Sequence, residues 1–379
     1  MGEGALVPET RVLAVASHVV SGYVGNKIAV FSLQSLGCDV AALNTVQFSN
    51  HTGYRQWTGS RVSAQEITDL YHGLKQSYLD DFDMMLSGYV PGAQALEAVG
   101  QIGQELKRKA KSKPGSFFWV LDPVMGDNGK LYVAPDVVPV YKSLVHHADL
   151  VLPNQFEAEL LSEVPITDMP SLGRAVQVMH ERYGIPHIVI TSVSLPHPDH
   201  PVSSLSVVGS TMTSDRRARA FKIVFPAIDC YFSGTGDMFA ALMVVRMREA
   251  VHSSSSSKPG HQQQDGGLMG KEAWVSDDSV DAVDLPLARA AEKVLASMHE
   301  VLTQTAEKMT ETVKKARAGA ADNAAVVDGE GATNATAEEA AKAEEKRMHL
   351  VRSKAAELRL VRHLDSLRFP KVEFRATRL

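Results

Sequence analysis

A glycine-rich segment, Phe-Ser-Gly-Thr-Gly-Asp at residues 232 to 237, has the clearest capacity for chemistry in this sequence, and a helical run begins directly after it. Glycine permits a tight turn and the close approach of another group, and the free amide groups at a helix start can bind an anion such as phosphate. Asp237, on the first turn of that helix, is placed to take a proton from a hydroxyl that attacks phosphorus. The alternative is that Asp237 does no more than stabilise the helix N-terminus.

Two other phosphate-binding patterns do not fit the sequence. No G-x-x-x-x-G-K-[ST] segment occurs, and Phe239 takes the last position of a would-be G-x-G-x-x-G that starts at Gly234. The sequence therefore disfavours both a P-loop enzyme and an ordinary dinucleotide-binding enzyme.

Polar side chains follow three apolar runs that are typical of buried strands. They are Asp122 and Asp127, Asn154 and Glu157, and Thr191 and Ser192. Ligands of parallel sheets gather at the carboxyl ends of the strands, and Mg²⁺ prefers one or two carboxylates together with waters and phosphate oxygens. The pattern predicts a nucleotide-magnesium site, with hydroxyls that suit phosphate. Each residue taken alone is more often a helix cap, a turn former or a plain strand end.

Two further loops at the same predicted edge mix polar and aromatic side chains. One starts at Ser17 and His18, and the other runs from Val46 to Tyr54, with Trp57 soon after. Such a mix suits a flat aromatic ligand with hydroxyl and ring-nitrogen groups; the alternative for the histidines is an ordinary, satisfied polar side chain. Together with the phosphate-side segments, these loops predict a transferase that moves phosphate onto a small organic hydroxyl.

The elements that position these segments alternate in type from residue 11 to about 192. Short apolar runs are separated by segments of helical period, which predicts βαβ units on a largely parallel sheet. The predicted strands are Val12 to Ala16, Val40 to Val46, Met84 to Gly88, Phe117 to Leu121, Leu150 to Leu152 and Ile188 to Thr191. Ser203 to Ser210 and Ala220 to Phe225 predict antiparallel edge strands. Helices are predicted from about Gly236 and after Ser63, where Glu66 completes a capping box.

Two segments of low complexity interrupt this pattern. Residues 252 to 281 include a five-serine run and three glutamines, and residues 319 to 343 are dominated by Ala, Gly, Asn and Glu. We predict surface insertions, disordered or loosely helical, because neither composition buries enough apolar surface to offset the cost of ordering. Leu285 to Met309 and Arg347 to Leu364 predict amphipathic helices that return to the core. The chain 1–379 is thus predicted to be a single domain with insertions at about 252–281 and 319–343.

The bulk composition narrows the class of protein. Its 379 residues are 44% hydrophobic, enough for a sizeable core. The two cysteines, Cys38 and Cys230, provide neither a disulfide framework nor a Cys-x-x-Cys metal site, which fits a reducing compartment. A net charge of -5 gives no basic field for nucleic acid or an anionic membrane, and no apolar run approaches the roughly 18 residues of a membrane helix. We expect a cytoplasmic protein with small-molecule ligands that binds neither nucleic acid nor membrane.

Five segments, in their order and spacing, closely resemble the pyridoxal kinase family of the ribokinase-like superfamily. They are Ser-His-Val-Val-Ser-Gly-Tyr-Val-Gly-Asn at 17 to 26, Val-Gln-Phe-Ser-Asn-His-Thr-Gly-Tyr at 46 to 54, Asp-Pro-Val-Met-Gly-Asp at 122 to 127, Pro-Asn-Gln-Phe-Glu-Ala-Glu at 153 to 159 and Gly-Thr-Gly-Asp at 234 to 237. The first, second and fourth are specific to the family, whereas Gly-Thr-Gly-Asp alone would indicate only the superfamily. The resemblance covers residues 11 to 249 and resumes more weakly in the last helices.

The resemblance implies a ribokinase-like α/β fold, with a central mostly parallel β-sheet flanked by helices on both faces, and usually a homodimer. It implies transfer of the γ-phosphoryl group of ATP to the 5'-hydroxyl of pyridoxal, pyridoxine or pyridoxamine, the reaction of vitamin B6 salvage. Family members use Mg²⁺ or another divalent ion and often a monovalent cation such as K⁺. Leu152 stands where many members have a threonine near that monovalent cation.

Roles for individual residues also follow from the resemblance. Asp237 is similar to the family's catalytic base, and Gly234 to Gly236 to its anion hole. The implied contacts with the vitamin are Ser17, Val46, Phe48, Thr52, Tyr89 and Asp237. The implied contacts with ATP are Asp127, Tyr132 in a covering flap, Asn154, Glu157, Thr191, Ser192, Gly234, Thr235 and Gly236. The implied metal-side residues are Asp122 and Glu157.

Two other functions compete with this interpretation. Another ribokinase-like kinase would act on hydroxymethylpyrimidine or a sugar, but a sugar site favours more carboxylate and amide groups than the segment Val46 to Tyr54 offers, with its Phe48. A non-catalytic pyridoxal-binding or carrier protein would need no base such as Asp237 facing an anion hole.

Overall fold

The computed structural model describes residues 7–195, 203–256, 267–326 and 337–379. Its strands are β1 (Arg11–Val19), β2 (Asp39–Phe48), β3 (Gly59–Arg61), β4 (Met84–Ser87), β5 (Phe118–Leu121), β6 (Gly126–Asp127), β7 (Lys130–Leu131), β8 (Leu150–Val151), β9 (His187–Val193), β10 (Ser204–Met212), β11 (Ala218–Pro226) and β12 (Thr377–Arg378). Its α-helices are α1 (Asn26–Ser35), α2 (Ala64–Gln76), α3 (Ala93–Lys109), α4 (Val137–Leu144), α5 (Gln155–Ser162), α6 (Met169–Tyr183), α7 (Thr235–Ser256), α8 (Pro286–Val326), α9 (Ala337–Ala355) and α10 (Leu364–Arg368). Short 3₁₀ turns lie at Thr52–Tyr54, Ala110–Ser112, Val145–His147, Gly267–Gly270, Glu272–Trp274, Ala282–Asp284 and Leu360–Arg362.

Ten strands form one sheet in the order β12-β11-β10-β9-β8-β5-β4-β1-β2-β3. The six strands from β9 to β2 in this order run parallel, and β3, β10, β11 and β12 pair antiparallel with their neighbours. The predicted mostly parallel sheet is therefore confirmed. The prediction of edge positions for the antiparallel pair is wrong, because β10 lies between β9 and β11, and β11 is itself covered by β12. The two-residue β12 comes from the chain terminus, which a local pattern at 203 to 225 cannot reveal.

Side chains of the central strands alternate between two apolar layers. In β1, Val12 and Ala14 pack with α1, α7 and α8, whereas Leu13 and Val15 pack against the layer of α2 to α6. Every residue of β4 and β5 is buried. Strands buried on both faces require continuous apolar runs, which is why these short segments are recognisable in the sequence. Helices on both faces of the sheet are confirmed.

Local signals explain where several helices begin and end. The Ser63 hydroxyl accepts a hydrogen bond from the Glu66 N–H at the start of α2, as predicted. Asp168 caps α6, and Gly184, with a φ of 62°, ends it in the left-handed region that favours glycine. Such caps place the helix boundaries without help from the rest of the fold.

The first predicted insertion packs partly against the core, contrary to the composition argument. Trp274 is fully buried, stacks on Phe118 with ring centroids 4.2 Å apart, and donates its Nε1–H to the Gly115 carbonyl at 2.9 Å. An argument from average composition does not detect a single large aromatic side chain that packs into the core. Residues 257–266 of this predicted insertion lie outside the described residues. In the second insertion the backbone is helical in α8 up to Val326 and again from Ala337, and 327–336 lie outside the described residues.

The sheet changes its direction of growth between β1 and β4. After β1 the chain adds β2 on one side, and it later adds β4, β5, β8 and β9 on the other side. Loops that leave the carboxyl ends of adjacent strands in opposite directions open a crevice, which is where open α/β sheets bind ligands. Within the described residues no helix is both long and apolar enough to cross a bilayer.

Candidate active site

Asp237 lies in the first turn of α7, beside the crevice at the ends of β1 and β4. Its carboxylate accepts a hydrogen bond from the Gly25 N–H, contributed by the loop after β1. Burial raises the pKa of Asp237 to about 6, although the Gly25 hydrogen bond acts in the opposite direction. The group is therefore ionised at neutral pH, yet it is more basic than an exposed aspartate, as a general base requires.

Glycines in the turn before α7 and in the loop after β1 allow these two segments to lie close together. Gly234 has a φ of +81°, and a Cβ there would lie 2.5 Å from the Tyr23 carbonyl oxygen. Gly25, with a φ of +55°, is packed so tightly on Ser17 that a Cβ would overlap it. A side chain at either position would separate the loop after β1 from the start of α7.

A second carboxylate faces the same crevice. Asp122, after β5, is 8% exposed, and its Oδ2 lies 3.8 Å from where a Cβ on Gly236 would stand. On the opposite side, a Cβ on Gly88 would lie 3.9 Å from Asp237 Oδ1. Burial, followed by the charges of Glu157 and Asp237, raises the pKa of Asp122 well above its usual range. The structure thus brings the predicted base and one predicted metal-side residue close together at the start of α7.

Both carboxylate oxygens of Glu157 are hydrogen-bonded to backbone N–H groups of the loops after β5 and β8. Its Oε1 accepts from the N–H groups of Met125 at 2.8 Å and Gly126 at 3.3 Å, and its Oε2 accepts from the Asn154 N–H at 2.9 Å. Asn154 returns the contact as the other half of a capping box on α5 and donates its Nδ2–H to the Gly126 carbonyl at 2.7 Å. Burial raises the pKa of Glu157 despite the three backbone hydrogen bonds. Both residues therefore fix the base of the segment that follows β5.

That segment forms a two-stranded hairpin, β6 and β7, which we call the flap (residues 126–132). Its turn consists of Asn128, with a φ of 49°, and Gly129, with a φ of 75°. Asn-Gly in this conformation is the preferred two-residue hairpin turn, because both central residues need a positive φ. Asp127 accepts from the Asn128 N–H at 2.8 Å, and Tyr132 follows the hairpin with 61% of its surface exposed. The segment predicted to act as a flap thus forms a hairpin, in which Asp127 lies beside the turn and Tyr132 follows the second strand.

The residues predicted for the ring side occupy the ends of β1, β2 and β4. Val46 is buried, and Phe48 lies 6.5 Å from the Trp57 ring. Thr52 is exposed at the start of its 3₁₀ turn. Tyr89 is half-buried, and its carbonyl accepts from the Thr45 hydroxyl at 2.7 Å. These residues therefore lie at or just beyond the carboxyl ends of β1, β2 and β4, away from the residues that follow β5.

The last two predicted residues lie farther along the same edge. The Thr191 N–H donates to the Pro153 carbonyl at 3.0 Å, which places Thr191 beside the Asn154 loop. Ser192 follows it in β9 and is exposed. The structure therefore places both hydroxyls next to the loop that braces the flap.

Two further residues adjoin the site without a local signal in the sequence. Tyr141, on α4, is 1% exposed, and its hydroxyl has no hydrogen-bond partner among the described residues. Burial and then the charges of Asp122 and Glu157 raise the pKa of Tyr141. Glu357, beyond α9, accepts hydrogen bonds from two loops of the site. Tyr141 lies on a buried helix face with Val137 and Leu144, so its sequence pattern predicts only a core residue. Glu357 is more than 300 residues away from the two tyrosines that it contacts.

Both a family profile and individual relatives match this chain. A family profile described as phosphomethylpyrimidine kinase matches residues 93–256. The pyridoxal kinase of Homo sapiens is 42% identical over 248 residues, which cover 62% of this chain and 77% of that protein. The pyridoxal kinase of Dictyostelium discoideum is 37% identical over 242 residues, covering 62% of this chain and 78% of that protein.

A solved structure extends the agreement to the fold. Pyridoxal kinase from Leishmania donovani, in complex with ADP and pyridoxamine, aligns with 98% of this chain and 100% of its own, with a TM-score of 0.70 and 28% identity. The sheet order and the placement of helices on both faces are therefore those of a ribokinase-like protein. This chain belongs to the pyridoxal kinase family.

Proposed function

We propose that this chain is an ATP-dependent kinase that transfers the γ-phosphoryl group of ATP to the 5'-hydroxyl of pyridoxal, pyridoxine or pyridoxamine. The observation that carries the proposal is Asp237, a carboxylate with a pKa of about 6 that is held by the Gly25 N–H at the start of α7. The relatives are named as pyridoxal kinases, and the Leishmania donovani structure contains ADP and pyridoxamine. Formation of pyridoxal 5'-phosphate and salvage of vitamin B6 follow from that activity.

In this proposal Asp237 accepts the proton of the 5'-hydroxyl as its oxygen attacks the γ-phosphorus, and the bond to the leaving ADP oxygen breaks. The N–H groups from Gly234 to Gly236 act as the anion hole for the transferred group, because the first turn of α7 leaves its amides free of intrahelical partners. Stabilising charge that develops during transfer is the larger part of phosphoryl-transfer catalysis.

The vitamin occupies the ring-side half of the crevice. The proposed contacts are Ser17, Val46, Phe48, Thr52, Tyr89 and Asp237. Apolar and aromatic groups would pack on the pyridine ring, and hydroxyls would bind its polar substituents. Their position at the ends of β1, β2 and β4 is what supports this half of the proposal.

ATP occupies the flap side. The proposed contacts are Asp127, Tyr132, Asn154, Glu157, Thr191, Ser192, Gly234, Thr235 and Gly236. The flap would close over the phosphates and exclude water, which otherwise competes with the vitamin hydroxyl. The hydrogen bonds of Glu157 and Asn154 support a brace for the flap base, so their effect on ATP would be exerted partly through the flap.

The residues around Asp122 fit a divalent ion bound jointly with nucleotide. Asp122 offers a buried carboxylate, and its charge reaches the Tyr141 hydroxyl, which has no hydrogen-bond partner among the described residues. No group of three His, Cys, Asp or Glu that could hold an ion by itself occurs in the part of the chain that the structure describes. Mg²⁺ characteristically takes one or two carboxylates and completes its shell with phosphate and water oxygens. We assign Asp122, with Glu157 behind it, to Mg²⁺ or another divalent ion, which would neutralise phosphate charge.

We also propose, from the family resemblance, that the protein uses a monovalent cation such as K⁺. The side chain of Leu152 is buried in the core and supplies no oxygen ligand to such an ion. Any K⁺ site near residue 152 would therefore depend on backbone oxygens or on other side chains.

Three broader properties belong to the same proposal. We propose that the chain is one domain, 1–379 with insertions at about 252–281 and 319–343, since a single sheet joins its first and last strands. We propose a cytoplasmic location, since Cys38 and Cys230 are free thiols. We propose a homodimer, as is usual in the family, which light scattering coupled to size exclusion would test.

The activity is tested by a coupled assay with MgATP and pyridoxal, pyridoxine, pyridoxamine, hydroxymethylpyrimidine or ribose, with the product identified by mass. We expect phosphate on the three B6 vitamers. The name of the matching family profile makes the pyrimidine the most informative competitor. Phosphate on the pyrimidine or on ribose alone would contradict the proposed substrate, and no product with any acceptor would contradict the kinase.

A further inference from the structure

Glu357 connects two separate loops of the active site. It follows α9 near the end of the chain, and its side chain is 13% exposed. Its Oε2 accepts a hydrogen bond from the Tyr23 N–H at 2.7 Å, and its Oε1 accepts one from the Tyr54 hydroxyl at 3.0 Å. The same Oε1 lies 3.2 Å from His51 Nε2. One carboxylate therefore contacts the loop after β1 and the loop after β2.

The two ring nitrogens of His51 face different groups. The His51 Nδ1 accepts a hydrogen bond from the Gly53 N–H at 3.2 Å, so in the neutral ring the proton resides on Nε2, which faces Glu357. The ring also packs on Tyr54, with centroids 4.7 Å apart. Glu357 thus fixes the orientation of the two residues on either side of Thr52 and Gly53.

The loop after β1 connects Glu357 to the proposed base, Asp237. Glu357 holds the Tyr23 N–H, and two residues later the Gly25 N–H donates to the Asp237 carboxylate. The Tyr23 carbonyl lies against Gly234 of the anion-hole turn. A shift of this loop would therefore displace both the hydrogen bond to the base and the turn that precedes it.

The loop after β2 approaches the same turn from the other side. A Cβ on Gly53 would lie 3.6 Å from Ser233 Oγ. His349, on α9, adds a second restraint, since its Nε2 lies 3.0 Å from the Gly53 carbonyl oxygen. The segment that carries α9 and Glu357 thus packs over the ring-side loops.

Burial of a carboxylate carries a desolvation cost, which must be offset by its partners. Burial acts to raise the pKa of Glu357, but its contacts with His51, the Tyr23 N–H and Tyr54 together lower it, so the group is ionised. These three partners all belong to the two ring-side loops. This distribution distinguishes Glu357 from carboxylates that only stabilise a helix or a surface.

We propose that Glu357 is a positioning residue for phosphoryl transfer, which sets the loop of His51 to Tyr54 against the vitamin and the loop of Tyr23 to Gly25 against Asp237. The proposal rests on the proposed function, because it assumes that the vitamin lies between these loops. It makes the C-terminal segment, beyond both insertions, part of the active site.

The test compares purified full-length wild type with Glu357→Gln and Tyr54→Phe, measuring kcat and KM separately for pyridoxal and for MgATP, with thermal unfolding of each protein. Glu357→Gln keeps the shape but removes the charge, and we expect kcat/KM for pyridoxal to fall by about 10- to 100-fold, the scale of a small misplacement of reacting groups. The KM for MgATP should change less than the KM for pyridoxal, because most of the proposed ATP contacts lie on the flap side, away from Glu357. Tyr54→Phe, which removes one hydrogen bond and leaves the charge, should produce a smaller change in the same direction.

Glu311→Gln is the matched control. Glu311 is a carboxylate on α8 that is paired at the surface with Lys308 and Lys315, each at 2.6 Å, and the active site does not use it. We expect wild-type kinetics from this variant.

A folded Glu357→Gln protein with wild-type kcat and KM would overturn the proposal, as would an equal rise in the KM for pyridoxal and the KM for MgATP with kcat unchanged, which would indicate a merely structural role. If Glu357→Gln fails to fold, Tyr54→Phe decides the question, and unchanged pyridoxal kinetics in that variant would overturn the proposal. A wild type inactive on every B6 vitamer is a separate result, since it would refute the proposed function itself.

Discussion

At the residue scale, the environment of Asp237 is what converts an ordinary helix-start aspartate into a candidate base. Burial raises its pKa to about 6, and the Gly25 N–H limits that rise and orients the carboxylate. An exposed N-terminal aspartate would stay far less basic. The alternative of a purely helix-stabilising role does not account for a hydrogen bond from a distant loop.

Asp237→Asn should abolish proton acceptance and leave the shape of the site intact. We expect turnover of pyridoxal to fall by about 10² or more, in the range for a lost general base. ATP and pyridoxal should still bind, which calorimetry can measure. Turnover like that of the wild type would contradict the assigned role.

The sequence alone was enough to predict Asp237, Asp122 and the glycines as site residues, because their spacing to a strand end or a helix start is a local property. The family resemblance assigned Asn154 and Glu157 to ATP, and Glu157 also to the metal, and these roles stay predictions. The structure adds that both residues hydrogen-bond to the base of the flap. The direction of a side chain depends on what the neighbouring loop offers, and that neighbour is 28 to 32 residues away.

At the element scale, the flap depends on its turn. Gly129 has a φ of +75° with open space around its α-carbon, so a substitution there is strained by backbone conformation and not by a clash. In the proposed function the hairpin covers ATP, so a change in its turn should disturb ATP binding and leave the ring side untouched.

Gly129→Val should raise the KM for MgATP and leave the KM for pyridoxal within about twofold, because a β-branched residue in the left-handed region costs about 1 to 2 kcal/mol and distorts the flap. Initial-rate kinetics with each substrate varied in turn would measure this. Gly73→Ala is the control, because Gly73 lies in α2 with open space around it. That variant should be more stable to unfolding by about 0.5 to 1 kcal/mol with unchanged kinetics. An unchanged KM for MgATP in Gly129→Val would contradict the role of the flap.

Two buried histidines connect α6 and β9 to the antiparallel part of the sheet. His180 is bound to the Ile185 carbonyl and the Ser210 hydroxyl, and His187 to Thr211 Oγ1 and the Ala273 carbonyl. Burial lowers the pKa of each to about 4. Both are therefore neutral in the folded protein at pH 5, whereas they are protonated in the unfolded chain.

The free energy of unfolding should decrease as the pH falls from about 6.5 to about 4, by about 1.4 kcal/mol per pH unit for each histidine. The sign follows because the unfolded chain binds more protons in that window. Asp122 and Glu157 have raised pKa values and contribute with the opposite sign, so the comparison must be between variants.

Urea unfolding of wild type and His187→Gln at pH 7.5 and pH 5.5 measures this difference. The variant should be less stable at pH 7.5, because a glutamine side chain cannot reproduce both hydrogen bonds of the imidazole, but its stability should change less between the two pH values. Equal pH dependence in both proteins would contradict a neutral, buried His187.

At the scale of the whole molecule, residues 267–284, which precede α8, pack against the sheet. Trp274 stacks on Phe118 of β5, and the Ala273 carbonyl contacts His187 of β9. The first insertion is therefore part of the packed structure in its second half.

Trp274→Ala should lower the free energy of unfolding by about 3 to 5 kcal/mol, the usual effect of removing a buried aromatic side chain. Phe369→Ala is the control, because Phe369 is 58% exposed, and a change within about 0.5 kcal/mol is expected there. Chemical denaturation at one pH measures both. A loss as small as that of the control would show that the segment contributes little to the core.

Patterns within short stretches of the sequence were enough to predict the fold class, the order of the central strands along the chain, the glycine-rich turn and the family, because each depends on local periodicity or on contiguous motifs. The folded chain was needed to establish that β10 is interior, that Trp274 is core and that Glu357 and Tyr141 adjoin the active site. One cause accounts for all of these differences. The contacts join segments far apart along the chain, and a local pattern carries no information about which distant surface will cover it.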